Sequence, residues 1–224
     1  MFVLRETQPE LNTNLTRQDI LLTHGENTQT RSRVSDAYSA SGISSNAPVR
    51  TARGIVSARD LRAGDQIHTY DNGLQTLFWA GSSRVDGADG PLVRVLKSDG
   101  GRSQLLLAPN HLVLQKSAGS EMLFGESEVL CPAKTLVEFD QFEPACSATP
   151  TMVHLLFDRF QLIQVGEIWV ESYVPDMERT RFIAPDLAAE IIGVMPKLAH
   201  NGGLANYVQS RLVLEEREVK CLNC

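Results

Sequence analysis

The stretch from Pro48 to Gly81 constrains the fold most strongly, because short apolar pieces and turn residues follow one another in it. The β-branched pair Ile55-Val56 comes directly after Gly54 and predicts a strand. The tripeptide Asp71-Asn72-Gly73 separates two extended runs and is a strong hairpin signal. We expect the second strand of this hairpin over residues 76–79. The stretch therefore predicts short antiparallel strands joined by tight turns.

The same spacing of short apolar runs and turn residues continues as far as Tyr173. Regularly spaced short strands without long helical periods predict an all-β fold. Within this region, segments 151–157 and 160–165 are both apolar and flank Asp158-Arg159, so we expect them to pair as a hairpin. No internal repeat is visible.

The pattern changes to a helical one after residue 183. Pro185 in a first turn and Pro196 after the last turn predict a helix over residues 185–195. An amphipathic pattern predicts a second helix over residues 206–221. We expect these helices to form a small appendix that packs on the β-structure or on a neighbouring chain.

Composition and charge argue against several classes of function. The formal net charge is −6, hydrophobic residues make up 42% of the chain, and the Lys and Arg residues are scattered. A nucleic-acid partner bound by a basic face is therefore not expected. No apolar run approaches the ~20 residues of a membrane span, and the first residues lack a secretory signal pattern. We expect a cytoplasmic protein or one exported by a non-classical route.

The sequence motifs point to no cofactor and no metal. There is no glycine-rich phosphate loop of the dinucleotide or P-loop type. The four cysteines (Cys131, Cys146, Cys221 and Cys224) lack a four-ligand metal spacing. We expect the CxxC formed by Cys221 and Cys224 to be part of a frayed tail, with a local disulfide or a redox role as the alternative.

Three separated motifs resemble the Hint (Hedgehog/intein) autoprocessing family and are most similar to its bacterial branch. They lie in the stretch 54–81, in Ala108–Leu114 and in Val153–Tyr173. The resemblance implies an all-β, Hint-like horseshoe of short strands with a small C-terminal helical appendix. We accordingly expect a polar N-terminal arm over residues 1–41, a Hint-like β domain over 42–175 and the appendix over 176–224.

The resemblance also implies a chemistry, in which a Hint domain attacks its own backbone. A Cys at the first position adds to the preceding carbonyl and forms a thioester, while a His protonates the departing amide nitrogen. By resemblance that donor is His111, and the substrate is the chain's own polypeptide. The first position falls on Gly42, which carries no nucleophile.

Two further positions differ from the family pattern. Phe160 stands where related sequences carry a helper histidine, and Glu171-Ser172 stands near the His-Asn pair of a splicing intein. Ligation of flanking segments is therefore not expected. Of the remaining histidines, we expect His154 to be a partly buried, hydrogen-bonded strand residue and His68 to be exposed; His24 and His200 lie in polar loops and receive no role.

These observations leave two functions from different classes. The first is a domain that has lost its nucleophile and serves as a structural module or as a binding module for a protein partner. The second is a self-cleaving domain in which a serine near Gly42, such as Ser41 or Ser44, performs an N–O acyl shift with His111 as proton donor. A hydroxyl within about 3 Å of His111 would favour the second. A β-domain without Hint ancestry is a third, weaker alternative.

Overall fold

The computed structural model describes residues 41–84, 90–98, 101–146 and 150–222. Residues 1–40 of the expected N-terminal arm, together with His24 and Cys224, lie outside the described residues. Within the described part the chain forms fifteen strands. They are β1 (Ile43–Ser44), β2 (Pro48–Thr51), β3 (Gly54–Ser57), β4 (Gln66–Thr69), β5 (Gly73–Thr76), β6 (Trp79–Arg84), β7 (Leu92–Leu96), β8 (Arg102–Leu107), β9 (Leu112–Lys116), β10 (Glu128–Pro132), β11 (Phe142–Ala145), β12 (Thr151–Leu156), β13 (Leu162–Val165), β14 (Ile168–Glu171) and β15 (Leu212–Val213).

Helical structure in the described residues is short and lies mainly towards the C-terminus. The α-helices are α1 (Ala118–Phe124), α2 (Met177–Ile183), α3 (Pro185–Val194) and α4 (Glu216–Cys221). The 3₁₀ turns are Ala58–Asp60, Ala133–Glu138, Pro196–Ala199 and Asn201–Asn206. The predicted all-β fold with a small C-terminal helical part is confirmed. In the same residues, none of the helices has both the length and the apolar character needed to cross a membrane.

The strands form two sheets. One has six strands in the order β11-β7-β8-β1-β12-β6, and the other has nine strands, with β15-β10-β9-β14-β13-β2-β4-β5 as its path and β3 attached to β2. The two-residue strand β1 lies between β8 and β12 and pairs antiparallel with both. The first residues of the described chain are therefore held in the middle of a sheet.

The two largest of four buried apolar clusters in the described residues hold most of these elements together. The larger core joins side chains of both sheets, among them Ile43, Ile67 and Phe157. The second core packs helices α2 and α3 against Trp79 and Tyr173 of the β-structure. Apolar burial stabilises a fold by about 25 cal/mol per Å². Helices α2 and α3 are therefore stabilised by their packing against the β-structure.

The hairpin predicted at Asp71-Asn72-Gly73 is present, with β4 and β5 as its strands. The second strand is β5, over 73–76, and not residues 76–79 as predicted. Leu77 leaves the ladder because its backbone exchanges hydrogen bonds with Gly64 and Asp65. Its side chain is fully buried.

The hairpin predicted around Asp158-Arg159 is wrong. Strand β12 pairs with β1 and β6 in the six-stranded sheet, whereas β13 pairs with β14 in the other sheet. The chain crosses between sheets here, with the ring of Phe157 fully buried at the crossing. Two adjacent apolar strands give the same sequence pattern whether they pair with each other or with different partners, so the sequence could not separate the two cases.

Of the two predicted C-terminal helices, only the first is present, as α3. The predicted helix over 206–221 is wrong, because Asn206 ends a 3₁₀ turn and residues 212–213 form β15, which pairs with β10. Helix α4 begins only at Glu216, after a capping box formed by Glu215 and Glu218. Such a box satisfies free backbone N–H groups and fixes where a helix starts. Helices α1 and α2 were not predicted.

Arg211 fastens the segment after the last 3₁₀ turn to the β-domain. Its guanidinium donates to both carboxylate oxygens of Asp71, at 3.0 and 2.7 Å, and to Glu128, at 3.0 and 2.8 Å. It also lies 5.4 Å from the centre of the Tyr70 ring. Lys116 and the hydroxyl of Tyr70 complete the contacts of Glu128. One cation therefore joins the C-terminal segment, the β4–β5 hairpin and the start of β10.

Candidate active site

The pairing of strand β1 positions the preceding Ser41-Gly42 peptide beside the end of β8. Ile43 pairs with Leu107 of β8, and the carbonyl of Gly42 accepts from the N–H of Ala108 at 3.0 Å. A tight turn follows, in which the N–H of His111 donates to the carbonyl of Ala108 at 3.0 Å. The turn places the imidazole of His111 directly against the segment that precedes β1.

The Nδ1 atom of His111 faces three groups at once. It lies 3.2 Å from the N–H of Gly42, 2.9 Å from the hydroxyl of Ser41 and 3.4 Å from a carboxylate oxygen of Glu171. Because the Gly42 N–H donates to Nδ1, a neutral imidazole must carry its proton on Nε2. Within the described residues Nε2 is buried and has no hydrogen-bond partner. All the polar contacts of this imidazole are therefore concentrated on its Nδ1 side.

Glu171 is the residue of this site to which sequence reasoning gave no role. It ends β14, is 8% exposed, and its Oε1 accepts from the N–H of Leu112 at 3.0 Å and lies 3.3 Å from the hydroxyl oxygen of Ser41. The available signal was a carboxylate at the end of the otherwise apolar run Ile168-Trp169-Val170. Charged side chains are rarely fully buried unless they are paired.

Gly42 has no room for a side chain in this conformation. Its φ is +119°, which L-residues rarely adopt, and an added Cβ would lie 2.9 Å from Cε1 of His154 and 3.1 Å from Cβ of Met152. Both neighbours belong to the adjacent strand β12, so neither can simply swing away. The position at which the Hint resemblance implies a nucleophile therefore carries no side chain, and the neighbouring strand leaves little room for one.

His154 forms the wall behind Gly42. It is 2% exposed, its Nε2 lies 2.9 Å from the hydroxyl of Ser83, and its ring meets Tyr173 edge to face at 5.4 Å. Burial lowers its pKa well below the usual value, and the charge of His111 contributes in the same direction. His154 is more deeply buried than the partly buried strand residue expected from sequence, and it is hydrogen-bonded as expected.

The buried neutral His154 is expected to make the protein less stable in acid. The unfolded chain takes up a proton at this histidine near pH 6.5, whereas the folded chain does so only at lower pH. Below about pH 6.5 the unfolded state then binds more protons, and the free energy of unfolding falls by up to ~1.4 kcal/mol per pH unit. Denaturant titrations at pH 7.5 and pH 5.5 measure this loss.

The variant His154→Gln tests whether His154 causes this loss of stability in acid. The matched control is His68→Gln, because His68 lies at a half-buried position of a strand. The His154 variant should lose less stability between the two pH values than the wild type, while the control should keep the wild-type loss. Equal pH dependence in all three proteins would show that His154 does not titrate in this way.

The structure separates the two serines that were candidates for the nucleophile. Ser41 lies at His111, but the hydroxyl of Ser44 donates to the carbonyl of Gln104 at 3.2 Å and accepts from the N–H of Leu106 at 3.0 Å. Both contacts are to the backbone of β8, and Ser44 does not line the cavity at His111. The structure thus brings the hydroxyl of Ser41, and not that of Ser44, to His111.

A small cavity of about 10 Å³ lies at the site, the size of a single water molecule. Its lining is formed by Ser41, Gly42, Ile43, His111, Val153, His154, Leu155, Ile163, Glu171 and Tyr173. Phe160 takes no part in it and packs instead with leucines of β9, β10 and β13.

The three described cysteines, Cys131, Cys146 and Cys221, do not line the cavity at His111. Cys131 is buried, and burial raises the pKa of its thiol to about 12. A thiol with so high a pKa is unreactive near neutral pH. Cys146 and Cys221 are exposed and form no disulfide with another described residue. Over the described ranges, no group of three or more His, Cys, Asp or Glu side chains is arranged to hold a metal ion.

Comparison with known proteins identifies the family. The family model described as Hint domain matches residues 42–177, more than half of the chain. The chain belongs to the Hint domain family. The family match begins at Gly42, the residue that His111 contacts, and ends at the start of helix α2. The resemblance inferred from the three sequence motifs is thereby confirmed.

Solved structures that match this chain include inteins. The gp41-1 intein matches with a TM-score of 0.38 and 10% identity, over 58% of this Hint domain chain and 97% of the intein. The MchDnaB-1 intein matches with a TM-score of 0.37 and 14% identity, over 58% and 98%. A bacterial intein-like domain from Clostridium thermocellum matches with a TM-score of 0.37 and 14% identity, over 59% and 97%. Among curated proteins no relative matches.

Proposed function

We propose that this Hint domain has lost the cysteine-based acyl shift and acts as an uncleaved structural or binding module. This proposal rests on the identity and the packing of residue 42. Gly42 has no nucleophilic atom, and its backbone conformation together with His154 leaves no space for one. His111 still faces the Gly42 nitrogen at 3.2 Å, but residue 42 offers no nucleophile for this histidine to assist.

The contacts of residues 42–45 support a role as an anchor for the segment that precedes them. Ile43 is 2% exposed in the main core. Ser44 bridges two backbone groups of β8, and the N–H of Ser45 donates to the carbonyl of Thr151 at 3.0 Å. An intact Ser41-Gly42 bond would keep residues 1–41 attached to a strand that lies inside a sheet. We propose residues 42–175 as the anchoring domain and a protein as the partner of the module.

Ser41 supplies a second candidate function, an N–O acyl shift at the bond between Ala40 and Ser41. The observation in its favour is the 2.9 Å distance between the Ser41 hydroxyl and Nδ1 of His111. In this reaction Oγ would bond to the carbonyl carbon of Ala40 and the bond from that carbon to the Ser41 nitrogen would break. His111 would take the proton from Oγ and return it to the departing nitrogen. The product is an ester that hydroxylamine cleaves.

Intact mass distinguishes the two functions. We expect the purified chain to keep its mass near 24.7 kDa after incubation with a thiol and with hydroxylamine, because no thioester or ester forms. Loss of residues 1–40 in hydroxylamine would instead establish the serine reaction. That loss must disappear in Ser41→Ala and persist in Ser44→Ala, the matched control in the same segment. The proposal of an uncleaved module fails if such cleavage is found.

A further inference from the structure

We propose that Ser41, His111 and Glu171 form a nucleophilic serine site that reacts with small acyl- or phosphonyl-type electrophiles, with Glu171 as a positioning residue. The inference deepens the serine alternative described above, but it does not require the chain to cut itself. An electrophile supplied from outside can react with the hydroxyl while the backbone stays intact. The site is then compatible with an uncleaved module.

The geometry supplies both a nucleophile and a base. The Ser41 hydroxyl lies 2.9 Å from Nδ1 of His111, within the range of proton transfer between a nucleophile and its general base. Ser41 itself is half-buried and so is not sealed inside the apolar core. Ser44, three residues further along, has its hydroxyl bound to the backbone of β8 on both the donor and the acceptor side.

Glu171 supplies the counter-charge. When His111 accepts the serine proton it becomes a cation inside the protein, with only 4% of the residue exposed. The carboxylate of Glu171 lies 3.4 Å from the same nitrogen and makes no ion pair with any Lys or Arg of the described residues. An opposite charge at this distance in a poorly hydrated site stabilises the imidazolium.

The arrangement differs from a serine–histidine–acid triad in one respect. There the acid and the serine contact opposite nitrogens of the imidazole. Here Ser41 and Glu171 face the same nitrogen, and the hydroxyl also lies 3.3 Å from the carboxylate. Glu171 therefore acts by holding the hydroxyl and the developing charge together, and not by orienting the ring from its far side.

Labelling with a small alkyl fluorophosphonate tests the proposal on the full-length chain. Oγ of Ser41 bonds to phosphorus, the phosphorus–fluorine bond breaks, fluoride leaves and the serine proton passes to His111. We expect one phosphonyl group per chain, located on Ser41 by peptide mass analysis. Ser41→Ala and His111→Gln should abolish labelling, and Ser44→Ala should label at the wild-type rate.

Glu171→Gln tests the positioning role. It should slow labelling about tenfold or more and move the acid limb of the pH–rate profile to lower pH, while Glu171→Asp should recover part of the rate. A purely structural role of Glu171 would lower the melting temperature without moving the profile. Absence of label on Ser41 in the folded wild type overturns the proposal. A wild-type rate and profile in Glu171→Gln overturn the role of Glu171.

The mass experiment on self-cleavage is read separately. Labelling without cleavage leaves the nucleophilic site standing and removes only the acyl-shift function. Cleavage that depends on Ser41, together with absent labelling, establishes the acyl shift and overturns the site for external electrophiles. The two failures are therefore distinguishable in the same set of variants.

Discussion

Replacing Gly42 with alanine is expected to lower the free energy of unfolding by about 3 kcal/mol. Two physical effects add. The φ of +119° disfavours any residue with a Cβ, and the new methyl group would lie 2.9 Å from His154 and 3.1 Å from Met152 inside a packed sheet. Steric overpacking of this kind usually costs ~1–3 kcal/mol and an unfavourable backbone conformation ~1–2 kcal/mol. Denaturant-induced unfolding measures the loss.

Gly54→Ala is the matched control for this substitution. Gly54 has a similar φ of +105°, but an added Cβ would meet nothing within 4 Å. It should therefore show only the backbone part of the loss, about 1 kcal/mol. If the two variants lose the same stability, His154 does not prevent a side chain at residue 42. The argument that packing excludes a nucleophile at this position would then be wrong.

Replacing Arg211 with methionine is expected to lower the free energy of unfolding by about 2 kcal/mol. The side chain is 16% exposed and is the shared partner of Asp71 and Glu128. Without it two carboxylates remain close together in a partly desolvated position, with Lys116 as the remaining cation in contact with Glu128. We also expect protease cleavage in residues 207–215 to become faster, because β15 has only two residues and both are exposed.

Arg217→Met provides the comparison for Arg211, since Arg217 pairs with Glu215 at 3.0 Å but is 81% exposed. Exposed pairs contribute ~0–1 kcal/mol, so the stability of this variant should stay near that of the wild type.

The loss of stability caused by Arg211→Met should also become smaller in acid. The hydrogen bond from Tyr70, followed by those from Arg211 and Lys116, lowers the pKa of Glu128 to about 2.

The sign of that acid effect follows from the lowered pKa. Glu128 contributes stability above its unfolded pKa near 4.5, and this contribution is lost as the pH falls towards 2. The difference between wild type and Arg211→Met should therefore be largest near pH 7 and smaller at pH 3. A difference that does not change with pH would show that Arg211 acts through packing alone.

Local features of the fold could be predicted from the sequence, because neighbouring residues determine them. Gly73 takes a φ of +63° in the hairpin turn where Asp71-Asn72-Gly73 predicted it. Pro185 begins α3, as its position predicted. The all-β class followed from the order of such local signals, whereas the family followed from the resemblance of three motifs to Hint domains.

Partners distant in sequence could not be predicted in the same way. Ser41 meets His111 across 70 positions and Glu171 across 130. The sequence analysis placed His111 and Ser41 near one another only through the family resemblance, and it gave Glu171 no role in the site. The chain crossing at Phe157 shows the same limit, since the strands on either side of it lie in different sheets.

Strand β1 also has a consequence for the order of events during synthesis. Its two neighbours, β8 and β12, both come later in the chain, and β12 ends at Leu156. At about 5–20 residues per second, the ribosome releases residues 41–44 roughly ten seconds before the slot between these neighbours can close. Strand β1 can therefore take its place between both neighbours only after most of the β-structure has been synthesised.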